Sequence, residues 1–278
     1  MSLFANIISP YFLLITEKEI SISFLVYSLM VPAVLAVAFG AFLYLKTKKL
    51  SALYLFLLCS VFSIYAFLDL VSWFPNAQIS TFSWSILDVF DTSFFILSYW
   101  FLYSFVKEHD LPLWQKVLTG STLIPILAIT AFSINMNAFT ASLAIGIENQ
   151  AVTNYNSVLL LLFVLLTIVF SAVEYFKATD PLSKKKIALA GTGVAAFLFI
   201  FTIILVVVNL IISTNLWGLA ANSYVYNIDL YSLFGMPILL AFLGYLIAKY
   251  QAFNMKLIKS VAYMVLLMVI LFIGLFFA

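Results

Sequence analysis

Long apolar runs, each about 20 residues or more, alternate along the chain with short polar breaks. Each run is long enough to cross a bilayer core of about 30 Å as an α-helix. The breaks predict helix 1 over about 21–45, helix 2 over about 51–73, helix 3 over about 82–107 and helix 4 over about 113–134. Helix 5 follows over about 154–178, helix 6 over about 185–214 and helix 7 over about 226–249, and an eighth apolar run covers about 258–278. Residues 1–20 are interrupted by Pro10 and have no basic leader, so they read as an extracytoplasmic segment at the membrane surface. The expected fold is all-α, a polytopic bundle of seven transmembrane helices with an eighth hydrophobic helix at the C-terminus. No repeat of the helix pattern points to inverted halves.

Composition strengthens the membrane reading. Hydrophobic residues make up 65% of the 278 and charged residues 9%, against about 25% charged in soluble domains. The basic residues are all lysine, which argues against bidentate phosphate recognition. A net charge of +2 is too small to indicate a nucleic-acid partner. The single cysteine, Cys59, excludes an intrachain disulfide and a cysteine-rich metal site, and it falls within an apolar run.

Charge placement orients the bundle. Lys46, Lys48 and Lys49 follow helix 1, Lys107 and Lys116 bracket the turn after helix 3, and Lys177, Lys184, Lys185 and Lys186 lie between helices 5 and 6. Lys249, Lys256 and Lys259 follow helix 7, whereas the connections 2–3, 4–5 and 6–7 contain no lysine. Twelve of 13 lysines therefore share one face, leaving only Lys18 opposite. The positive-inside rule makes that face cytoplasmic and puts the N-terminus outside. The acids divide in reverse: Glu17, Glu19, Asp69, Asp88, Asp91, Glu148 and Asp229 outside, and Glu108, Asp110, Glu174 and Asp180 inside.

Catalytic signatures are missing from the sequence: it has no H-E-x-x-H, no G-x-S-x-G and no Gly-rich phosphate loop. No enzymatic activity, cofactor or metal is expected of it. The only histidine, His109 in "KEHDLP", reads as a solvated loop residue more readily than as a phosphoacceptor or proton relay. The lysine triplet at 184–186 reads as a topology anchor, with contact to anionic lipid as the weaker alternative. A retinal Schiff base would need a mid-span lysine, and no span has one.

The acids near the outer helix ends carry the candidate chemistry. Asp88 and Asp91 are three residues apart and share a helix face. Asp69 lies one turn inside the end of helix 2, and Asp229 opens helix 7. Ionisable groups at membrane depth are costly, which makes them functional candidates. With Trp73 and Trp84 nearby, Asp69, Asp88, Asp91 and Asp229 could form an outward cup for a small cationic ligand or a proton. Interfacial aromatic belts and helix-dipole caps explain the same residues without a ligand, and that reading is the stronger. In helix 7, Gly235 and Pro237 of "LFGMPILL" predict a kink or hinge. Pro32 and Pro125 predict bends in helices 1 and 4.

The stretch after helix 7, "YLIAKYQAFNMKLIKS", resembles the junction that follows the seventh helix in the 7TM sensor regions of bacterial histidine kinases. There the pattern is Y-x-I-x-K-Y/H-x-x-x-N-I-K-x-I. Tyr245, Ile247, Lys249, Tyr250, Asn254, Lys256 and Ile258 stand in that arrangement, with Met255 in place of isoleucine. The resemblance implies a sensor domain over 21–250 in the bacterial cytoplasmic membrane, with a homodimer as a natural assembly. An amphipathic elbow and an eighth helix would follow over 251–278. Gly235, Pro237, Lys249, Asn254 and Lys256 would form the signal-transmitting hinge and elbow. It further implies a cytoplasmic kinase with a phosphoacceptor histidine and an ATP-binding domain, or a response regulator downstream. Neither kinase part lies in 1–278, so a truncated chain is expected, the alternative being a stand-alone 7TM or 8TM receptor-like protein that signals through a partner. The rival expectations are a small secondary transporter or permease subunit and, less favoured, an intramembrane enzyme.

Overall fold

The computed structural model describes residues 22–72, 77–128, 130, 145–214 and 235–250, and no strand occurs among them. The helices are α1 (Ile22–Thr47), α2 (Leu50–Ser72), α3 (Ala77–Lys107), α4 (Leu113–Ser121), α5 (Ile145–Lys177), α6 (Pro181–Thr214) and α7 (Gly235–Tyr250). Five of them, α1, α2, α3, α5 and α6, are long and apolar enough to cross a membrane. The chain is a multi-pass membrane protein. The residue range 1–20, the elbow and the eighth run at 251–278 lie outside the described residues.

α3 is the central post. It packs against α2, α5 and α6, while α7 lies against α1, α2 and α6. Phe94, Phe95, Phe101, Leu102 and Phe105 of α3 are fully buried. Ring contacts extend from this helix to its neighbours: Phe95 meets Phe201 of α6 at 5.9 Å, and Tyr103 stacks on Phe170 of α5 at 5.3 Å. By contrast, α5 leaves Val158, Leu161, Leu162, Leu165 and Val169 exposed. Such a face suits lipid, whose tails are as apolar as the side chains themselves. Close approach is licensed locally by glycine. A Cβ on Gly40 of α1 would sit 2.9 Å from the Phe56 Cα of α2, so no larger residue fits unless the helices part.

The ends of several helices depart from the sequence expectation. α3 begins at Ala77 rather than near 82, and α5 at Ile145 rather than near 154. Apolarity marks the lipid-buried part of a helix, whereas hydrogen bonding continues into the polar turns beyond it. α6 begins at Pro181 rather than near 185, because Asp180 Oδ2 accepts from Ser183 N–H at 2.9 Å. Proline in the first turn gives up an N–H that needs no partner there.

The predicted continuous helix 4 is interrupted. α4 ends at Ser121, Thr122 forms a turn, and the backbone is helical again over 123–128. Pro125 cannot donate to the Ser121 carbonyl, and the Ser121 and Thr122 hydroxyls donate instead to the carbonyls of Leu118 and Thr119. In α7, Pro237 falls in the first turn of the described helix. The segment on which a kink would depend, 226–234, lies outside the described residues.

Candidate functional site: polar ties between α3 and α5

Two levels of polar contact join α3 to α5. Both helices run toward the lysine-bearing end, and the ties lie near their opposite ends. At the lysine end, Lys107 Nζ is 2.6 Å from Glu174 Oε2, and Glu174 is 12% exposed. Lys177 approaches the other Glu174 oxygen at 3.8 Å. At the far level, the Thr92 hydroxyl donates to Asn156 Oδ1 at 2.6 Å, and Asn156 Nδ2 donates to Asp88 Oδ1 at 2.8 Å. Thr92 is 0% and Asn156 3% exposed. Between the two levels lie aromatic contacts, Tyr99 and Tyr103 against Phe170.

Helix geometry places the far level at the edge of the membrane core. Nineteen residues separate Asp88 from Lys107 and Leu50 from Asp69, about 28 Å at 1.5 Å per residue. Asn156 lies 21 residues before Lys177, about 32 Å by the same rise. Asp69, Asp88 and Asn156 thus share one depth, near the limit of a hydrocarbon core about 30 Å thick.

Of the residues of the sequence-derived cup, Asp69, Asp88, Asp91 and Trp84 fall on described helices. Asp88 is held by Asn156, and Asp91, one turn away, is buried at 5% exposure. Asp69 is half-buried on α2. Trp84 belongs to α3. Asp229 and Trp73 lie outside the described residues, as do Asn254 and Lys256. Thr92 and Asn156 were not among the expected site residues. The signal for Thr92 was its spacing: four residues after Asp88, it falls on the same helix face. Asn156 is uncharged and opens an apolar run, so nothing local set it apart.

The lysine end is knitted together by its own acids. Lys186 Nζ meets Glu108 Oε1 at 2.7 Å, tying α6 to the turn after α3. The hydrogen bond from Lys186, reinforced by its charge, holds the Glu108 carboxyl below its ordinary range. Asp110 accepts from Lys116 Nζ at 2.5 Å and from the Tyr54 hydroxyl at 2.6 Å. Burial pushes this carboxyl up, but those donors outweigh it and leave Asp110 below its ordinary range. Lys116 also lies over the Tyr54 and Trp100 rings, and Trp100 Nε1 donates to Thr119 at 2.9 Å, so α4 is fastened to α2 and α3. His109 is exposed, its ring edge-on to Tyr103 and its Nδ1 2.9 Å from the Asp110 carbonyl oxygen. Lys249 lies over the Tyr245 and Tyr250 rings at the end of α7, and Tyr250 meets Phe105 of α3 edge-on at 6.4 Å.

No family model, curated protein or solved structure matches the chain. Among the described residues, no cluster of histidine, cysteine and acidic side chains could hold a metal ion.

Proposed function

We propose that the chain is the membrane-embedded sensor region of a bacterial two-component histidine kinase. In this reading seven helices cross the cytoplasmic membrane with the N-terminus outside. A stimulus acts on the outer level of the bundle, and α7 passes the change to a cytoplasmic kinase. The observation that carries the reading is the seating of α7. It packs against α1, α2 and α6, and its last residue, Tyr250, rests on Phe105 of α3. Tyr250 belongs to the junction pattern shared with the kinase sensors, so a displacement of α3 is delivered where that junction begins. Packed cores respond to small shifts by changing between discrete arrangements, which makes such a relay physically reasonable.

The test is direct. Coding sequence beyond the Ala278 codon, or an adjacent gene, should carry a phosphoacceptor-histidine box and ATP-binding motifs. Purified 1–278 alone should neither bind ATP nor autophosphorylate. ATP-dependent labelling of His109 would contradict the second expectation.

A secondary transporter is the alternative, and the Asp88–Asn156–Thr92 cluster, with Asn156 and Thr92 buried, is the observation that favours it. Uptake of a solute into proteoliposomes, driven by an ion gradient and lost in Asp88→Asn, would replace the sensor reading.

A further inference from the structure

We propose that Asp88, Asn156 and Thr92 form a proton-binding site between α3 and α5, in which the charge on Asp88 sets the strength of the outer tie between the two helices. The directions of the hydrogen bonds argue for this. Thr92 donates to the Asn156 carbonyl oxygen, which leaves the Asn156 amide N–H groups as the donors presented to Asp88. The chain of donors therefore ends on the carboxyl and suits its charged form. A hydrogen bond to an ionised acceptor is about twice as strong as a neutral one. Adding a proton turns Asp88 from a pure acceptor into a group with its own O–H to place. Asn156 can accept that proton only by turning its amide, and the turn obliges the Thr92 hydroxyl to give up its role as donor and accept instead. Protonation thus weakens the outer tie while the inner Lys107–Glu174 tie stays in place.

Depth and surroundings make the site selective for a proton. The cluster sits at the edge of the hydrocarbon core farthest from the lysine end, within reach of the aqueous phase on that side. Asn156 and Thr92 are almost wholly buried, which leaves little room for a larger ligand. The ionisable groups near this depth on the described parts of α2, α3 and α5 are few: Asp91 on α3, Asp69 and Tyr65 on α2, and Tyr155 on α5 with its hydroxyl 3.5 Å from the Thr122 carbonyl oxygen. The described side chains of α6 at this depth include no charged group. Lysines, which would fix Asp88 in its charged form, all lie at the opposite end among the described residues. The proposal concerns the bundle alone and holds whether the chain senses or transports.

The test uses the full chain in lipid nanodiscs with Cys59→Ala, Ile86→Cys and Val158→Cys, carrying spin labels on α3 and α5. Between pH 9 and pH 4 the distance distribution is expected to change reversibly. Asp88→Asn should show the acid distribution at every pH, and Asp88→Glu should restore the response. An unresponsive parent protein would overturn the proposal. So would an Asp88→Asn variant that is correctly folded, as judged by its melting profile, and still responds like its parent, because Asp69 or Asp91 would then be the titrating group. If the Asn variant fails to fold, Thr92→Val decides. It removes the hydroxyl whose donated bond favours the present amide orientation, so the distance change should shrink at least twofold, and an undiminished change would refute the mechanism.

Discussion

At the residue scale, Asn156 bears the most weight, because from α5 it bonds both Thr92 and Asp88 of α3. Asn156→Leu keeps the branched side-chain shape and removes both hydrogen bonds. Interhelical polar contacts in membranes average about 0.6 kcal/mol and rarely exceed about 1.7, while an abandoned buried acceptor costs about 1–3 kcal/mol. A loss of about 1–2 kcal/mol in reversible unfolding from mixed micelles is expected; no loss would mean that the tie is idle. Asp88 stood out in the sequence because a charge is conspicuous in an apolar run. Its partners did not, since threonine and asparagine are common near helix ends for ordinary reasons and their pairing depends on how α3 and α5 pack. The acids of the lysine end carry a pH dependence of known sign. Glu108 and Asp110 are both held below their ordinary range. The stability they add is therefore fully present above their unfolded values, near pH 4, and is lost as pH falls through the lower folded values. Melting temperature should drop below about pH 4 and the drop should diminish in a Lys116→Gln, Lys186→Gln double variant. An unchanged acid limb would remove these pairs from the account.

At the scale of elements, glycine separates packing from propensity. Gly120 of α4 has open space where a Cβ would go. Gly120→Ala should stabilise the protein by up to about 1 kcal/mol through helix propensity alone. Gly40 is the opposite case, since its Cβ would meet the α2 backbone. Gly40→Val should destabilise by about 1–3 kcal/mol, the usual cost of overpacking. Thermal unfolding of the two variants checks both signs, and a stabilised Gly40→Val would contradict the α1–α2 contact. The helices were legible as apolar runs because lipid demands them. Their ends were not, because α3 and α5 continue past the lipid boundary and α6 starts at an Asp180 cap that apolarity does not register. The break in α4 was half legible: Pro125 announced a bend, but the stop at Ser121 also needed Ser and Thr hydroxyls turned back on their own backbone.

At the scale of the molecule, lysine placement predicted one basic end, and the contacts connect its separate loops. Lys107 reaches α5, and Lys186 reaches the turn after α3. Such contacts require those loops to lie together. What the sequence could not supply was the pairing of α3 with α5 at two levels, which joins residues more than 60 positions apart. In the proposed relay the same pairing would supply a variable outer tie and a fixed inner tie, with Tyr250 of α7 against Phe105 of α3 at the lysine end. All of this depends on which side of the membrane each end faces. Single cysteines at Lys48, Lys184 and Glu148, each in a Cys59→Ala background, settle that point when intact cells are treated with a membrane-impermeant thiol reagent. The account predicts labelling at 148 alone, with 48 and 184 reacting only after the cells are opened. Labelling of 48 and 184 in intact cells, with 148 protected, would contradict it.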